Sequence, residues 1–84
     1  MNPMTRLLVA LELPGACFQW EAADGERHVE VSRARGQVRY NVFAWTGMGE
    51  TTRCVAGVEY LTAASALGAA SAWIEDGVLP QGVK

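Results

Sequence analysis

Eighty-four residues with a formal charge of −2, seven Lys and Arg against nine Asp and Glu, define one small domain without a strong field of either sign. A chain of this size buries only about 60–65% of its unfolded surface, so its core is thin; with half its residues hydrophobic and 19% charged it is nevertheless no disordered polymer. The balance also counts against a nucleic-acid binder, whose affinity rests on basic side chains that neutralise phosphates, and against a polyanion mimic, because the acids form no block.

The N-terminal stretch RLLVALELPGAC carries a cation, an apolar run and a cysteine after small residues, the outward features of a lipoprotein signal. Glu12 cuts the run to five residues, shorter than the roughly 7–15 of a signal h-region, and the leucine stands one position too far from Cys17 for the usual lipobox. The expectation is therefore a cytoplasmic protein whose Cys17 and Cys54 are reduced, structural thiols. No run approaches the length of a membrane span. RLLVALEL reads instead as a first strand, with Leu7, Val9 and Leu11 on one face; the rival reading takes MTRLLVALEL as a helix and gives an α-β-β-β-α order.

The clearest local signal follows in FQWEAADGERHVEVS, where two alternating segments flank Asp24-Gly25, a two-residue hairpin signal that calls for positive φ at both positions. Pairing Ala23 with Glu26 sets Trp20 opposite Val29 and Phe18 opposite Val31 on an apolar face, and Gln19 opposite Glu30 and Glu21 opposite His28 on a polar one. A turn at Pro14-Gly15 would place Leu11 beside Phe18. A turn around Arg35-Gly36 places Tyr40 near Val31 and Val42 near Val29, with Val38 on the same apolar face. Agreement among three separately chosen registers is the strongest argument for a meander.

A further strand covers TTRCVAGVEY, with Cys54, Ala56, Val58 and Tyr60 inward and Arg53, Gly57 and Glu59 outward by alternation. TAASALGAASAWIEDG then changes period: Thr62 is an N-cap, Gly77 a stop with Pro80 beyond it, and Leu67, Ala70, Ser71 and Ile74 form one helical stripe. Trp73 lies off that stripe and is expected at the sheet edge, and Gly68 is expected where the helix approaches the sheet closely. The fold class is α+β, a single domain over residues 1–84: an antiparallel four- to five-stranded β-meander over about residues 5–60, covered on one face by a single C-terminal α-helix over about 62–76, with a short tail at 77–84.

Chemistry-bearing constellations are scarce. His28 is the sole histidine and falls on the polar face near Glu21 and Phe43. The two cysteines stand 37 positions apart without metal-ligand spacing, and neither has the neighbours of an activated thiolate. Glu75-Asp76 closes the helix where acids oppose its dipole. Gly47-Met48-Gly49 has a phosphate-loop look but no third glycine, following helix or Lys-Ser/Thr, and reads as a turn between strands. GMGETTRCV resembles the glycine-rich loop of double-stranded-RNA-binding domains, but the helix opens with Thr62-Ala63-Ala64 where such a domain carries lysines. The chain is expected to be no enzyme, with no catalytic, cofactor-binding or metal-binding residues.

Parity sends Arg39, Asn41, Phe43 and Trp45 to the face opposite Tyr40 and Val42. Two readings stand: an exposed aromatic surface for a partner, built from Arg39, Phe43, Trp45, Met48 and Arg53, or rings covered by a bulge near Gly47 or by the tail VLPQGVK. In size, in its polar-faced antiparallel sheet with one Ala-rich helix, and in its lack of motifs, the chain resembles small phage- or mobile-element-encoded proteins, including anti-CRISPR inhibitors. That resemblance implies a non-enzymatic module that binds and inhibits or modulates a larger host protein complex. The alternatives are an RNA- or DNA-binding module that stacks bases on Phe43 and Trp45, with Arg39 or Arg53 on phosphate, and a self-associating subunit, a homodimer for instance, of a larger assembly.

Overall fold

The computed structural model describes residue 15, residues 17–33 and residues 38–81. Strands β1 (Cys17–Glu21), β2 (Arg27–Ser32), β3 (Tyr40–Thr46) and β4 (Arg53–Tyr60) form one antiparallel sheet in chain order, followed by helix α1 (Ala63–Asp76). This is the expected α+β meander with one C-terminal helix on the sheet. The strand or helix expected over RLLVALEL and the turn at Arg35-Gly36 lie outside the described residues.

The first hairpin has the register read from the sequence, Phe18 with Val31, Gln19 with Glu30, Trp20 with Val29 and Glu21 with His28, but not the turn. Gly25 alone in the turn has positive φ (73°), and the Ala22 amide donates to the Arg27 carbonyl at 2.8 Å while the Gly25 amide donates to the Ala22 carbonyl at 3.0 Å. The connection is thus a four-residue loop built on a β-turn. Asp24 stays at negative φ, where its Oδ1 accepts from the Glu26 amide at 2.9 Å and the Arg27 amide at 3.4 Å. Both loops centre between the same residues, so pairing is unchanged.

Between β2 and β3 the faces are as expected and the register is two residues further along: Val31 pairs with Val42 and Val29 with Ala44. A slip of two preserves the faces. Val38 is 75% exposed and precedes β3, so it is no part of the core. Between β3 and β4 the ladder breaks: Ala56 pairs with Ala44 but Cys54 pairs with Trp45, leaving Val55 as the extra residue of a β-bulge. Val55 and Ala56 both pack on the core as a result, and Cys54 leaves the inward face that simple alternation gave it.

Helix α1 forms because alanines supply propensity and both ends are capped. Thr62 Oγ1 accepts from the Ser65 amide at 3.1 Å, and Gly77, at φ 69°, donates its amide to the Trp73 carbonyl at 3.0 Å. The helix lies over β2 and β3, with β4 at its margin. Ala63, Ala66, Leu67, Ala70 and Trp73 are buried against Val29, Val31, Val42 and Ala44. Each fully buried Leu or Val contributes about 1.5–3 kcal/mol. The buried stripe includes Trp73 in place of Ser71, which is only half-buried.

Trp73 is drawn inward by more than its area. Its Nε1 donates to the His28 carbonyl at 2.9 Å, and the Arg27 guanidinium stands 6.0 Å from its ring. Arg27 Nη2 donates to the Ile74 carbonyl at 2.8 Å. Since α1 ends in Glu75 and Asp76 with no base in its last turn, β2 supplies the cation that the negative helix end favours. Gly68 is exposed with open space where a Cβ would lie, so close packing does not account for it.

Candidate functional site

No described element packs on the second face of the sheet. Register assembles it in rows: Cys17, Ser32, Asn41 and Glu59; then Gln19, Glu30, Phe43 and Gly57; then Glu21, His28, Trp45 and Cys54. Of the five residues expected to meet a partner, Arg39, Phe43 and Trp45 share this side. Arg39 Nη1 is 3.2 Å from Glu59 Oε2 with both side chains exposed, a pair that contributes little to stability.

Phe43 is half-buried and lies across Gly57, where an added Cβ would come within 3.0 Å of its ring. An aromatic ring seated on a strand glycine covers backbone that would otherwise face water. Trp45 is also half-buried, between His28 and Cys54 in its row. The tail through Gln81 does not reach either ring. It is held on the helix side, where the Tyr60 hydroxyl donates to the Gln81 carbonyl at 2.8 Å and accepts from its amide at 3.1 Å, with Pro80 buried.

Met48 sits at the loop end, 59% exposed, its methyl lying 3.9 Å from the point a Cβ on Gly25 would occupy. The loop is a 3₁₀ turn over Gly49–Thr51, tied by Thr51 Oγ1, which donates to the Met48 carbonyl at 2.7 Å and accepts from its amide at 3.1 Å. It is a turn between strands, as read. Arg53 does not join the group: opposite Thr46, beyond the bulge, it falls on the helix side of the sheet. The bulge exchanges Cys54 and Arg53 between faces.

His28 faces Trp45, with Phe43 one row away opposite Glu30, a consequence of the two-residue shift. Its Nε2 lies 3.0 Å from the Gly47 carbonyl oxygen and its Nδ1 3.5 Å from Glu21 Oε2. A carbonyl only accepts, so Nε2 carries the proton and ties the β3–β4 loop to β2. Beside it Glu30 Oε1 accepts from Gln19 Nε2 at 2.9 Å and from the Cys17 thiol at 3.4 Å. Partial burial, then the bond to Glu30 and its charge, push the Cys17 thiol up from its ordinary value.

Both cysteines are exposed, not structural, and they stand on opposite outer strands. Three strand spacings alone put about 14 Å between their strands, and they also stand in different rows, well beyond the roughly 7 Å a disulfide spans. Among the described residues no three His, Cys, Asp or Glu side chains gather to hold a metal ion, and no helix is long and apolar enough to cross a membrane.

Gln19, Glu21, His28 and Glu30, with Trp45 and Thr52, line a depression of about 440 Å³ on this face. The alternation of FQWEAADGERHVEVS already sets the first four on one face; what one strand pair could not reveal was that Trp45 stands next to His28 in the row. The fold and site together define a four-stranded α+β sandwich with an acidic-aromatic sheet face. Searches against protein-family models, curated proteins and solved structures give no match to this chain.

Proposed function

We propose that the protein is a small non-enzymatic interaction module whose sheet face, centred on Trp45 and Phe43, docks on a larger protein and occludes or modulates it. One observation carries this reading: two half-buried aromatic rings sit side by side on a sheet face that no described element covers, rimmed by Gln19, Glu21, Glu30 and Arg39. Central aromatics within a polar rim are the usual anatomy of an interface hot spot. His28 is held between protein groups, its Nε2 at the Gly47 carbonyl and its Nδ1 beside the Glu21 carboxylate, which favours a structural role for it. Inhibition of a host complex, as in the anti-CRISPR-like proteins, and action in the cytoplasm, where exposed Cys17 and Cys54 stay reduced, complete the proposal.

The charge pattern favours protein over nucleic acid as the partner. Among the described residues Arg27, Arg33 and Arg53 fall on the helix side, whereas Glu21, Glu30 and Glu59 share the other face with Arg39. Phosphates would meet carboxylates there. Capture of partners from host lysate by the tagged chain tests the proposal. Phe43→Ala/Trp45→Ala, verified as folded by circular dichroism, should release the captured protein; undiminished capture would place the interface elsewhere. Light scattering on the purified chain separates this from self-association, which a concentration-dependent dimer lost in the same variant would favour.

A further inference from the structure

The sheet face is most acidic where it is most concave. The depression of about 440 Å³ is lined by two carboxylates, Glu21 and Glu30, and by no lysine or arginine. Arg39, the one arginine on this face among the described residues, is engaged by Glu59 at 3.2 Å, away from the depression. Both described hydrogen bonds to the Glu30 carboxylate fall on Oε1, so Oε2 is left for an incoming donor. Trp45 lines the same space, and an indole is the best of the aromatic partners for a cation.

We propose that this depression receives an arginine side chain from a basic segment of a protein partner. The guanidinium would stack on Trp45 and donate to the carboxylates of Glu21 and Glu30. Arginine fits better than lysine: its plane lies on the ring, its fork of donors matches carboxylates, and it is more weakly hydrated than an ammonium. Gln19 adds a side-chain carbonyl at the rim, and Thr52 closes the loop side. The inference rests on the reading of this face as the partner surface, and it specifies what that partner must bring.

The test uses the full ¹⁵N-labelled chain at low salt, titrated with the blocked peptide Gly-Arg-Gly and, separately, with Gly-Lys-Gly, Gly-Glu-Gly and a short oligouridylate. The Trp45 indole signal is assigned through Trp45→Phe. Gly-Arg-Gly should shift the Trp45 indole and Gln19 side-chain amide signals with millimolar affinity, more tightly than Gly-Lys-Gly. Glu21→Gln/Glu30→Gln, whose melting curve should match that of the parent, should weaken binding about five-fold or more. An unmoved Trp45 signal, an equal response to Gly-Glu-Gly or to the oligouridylate, or unchanged binding by the glutamine variant would each overturn the proposal. The two readings can also fail separately. A captured protein lost by Phe43→Ala/Trp45→Ala but kept by Glu21→Gln/Glu30→Gln would retain the interface and remove arginine from it.

Discussion

Phe43 resting on Gly57 can be weighed by changing both. A glycine inside a strand costs about 0.5–1 kcal/mol relative to alanine, so Gly57→Ala alone should stabilise if nothing stood above it. The added Cβ would instead lie 3.0 Å from Phe43 Cδ1 and Cε1, against the roughly 3.5–4.0 Å of a comfortable carbon contact. The ring must rise by about half an ångström or more. A lift of that size forfeits a quarter to a half of each contact, and on the order of ten contacts at about 0.1–0.2 kcal/mol gives a loss of about 0.5 kcal/mol. Most of the gain is cancelled. In a Phe43→Ala background the obstruction is gone and Gly57→Ala should stabilise by the full 0.5–1 kcal/mol or so. Urea unfolding of the four chains, followed by tryptophan fluorescence, closes the cycle. An equal gain in both backgrounds would show that the ring does not sit on the glycine.

Three further outcomes follow from local geometry. Gly68→Ala, on the exposed side of α1 with free space for the methyl, should add about 0.5–1 kcal/mol and raise Tm by a few degrees; a lower Tm would mean that the glycine has a packing role. Gly47→Ala places a Cβ against the Thr51 carbonyl at φ 109° and should cost about 2 kcal/mol or more in chemical denaturation, whereas Gly49→Ala, with open space but φ 55°, should cost less. The Glu26 amide holds the Asp24 carboxyl below its usual value. Its folded pKa lies under the unfolded one, so its contribution is present above about pH 3.9 and lost as pH falls through the folded pKa. Asp24→Asn should therefore remove part of the acid dependence of stability, read from melts between neutral and low pH, and an unchanged acid profile would contradict this.

The fold was legible where pairing is set by symmetry and burial. The loop at Asp24-Gly25 holds four residues where two were expected, yet both choices pair Trp20 with Val29, because the register depends only on the centre of the loop. The second register moved by two residues and no side chain changed faces, since strand periodicity is two. A bulge has no such protection. Nothing in TTRCVAGVEY marks Val55 as extra, because Cys, Val and Ala are all acceptable inward, and so Arg53 and Cys54 were assigned to each other's faces. Trp73 was missed for a related reason. A stripe chosen by hydrophobicity alone ignores that its indole N–H finds the His28 carbonyl and its ring meets Arg27, groups that only the folded sheet brings to the helix end.

Of the candidate site, Phe43 and Trp45 were legible by parity from Tyr40 and Val42. Their neighbours were legible only as a polar face. That Glu21, His28 and Trp45 form one row depends on three strands in the right register, and a shift of two residues had set Phe43 there instead. Met48 was singled out by its side chain and lies at the loop end, over the first hairpin's turn. Single strands carry face assignments; which side chains meet across a sheet is decided by loops.

The bulge at Val55 divides the β3–β4 hairpin into two segments whose alternation is out of phase. Toward the helix, Ala56, Val58 and Tyr60 keep the core filled; toward the loop, Cys54 and Arg53 follow their own count. Loss of Val55 would join Ala56 directly to Cys54 and leave every observed pair, Ala44 with Ala56 and Trp45 with Cys54, in a regular ladder. The position is therefore a natural site for length variation, where one residue can be gained or lost without turning either segment over. One residue at this position sets how the strand bends into the loop bearing Met48 and Thr52, while the strands beneath stay paired as they are.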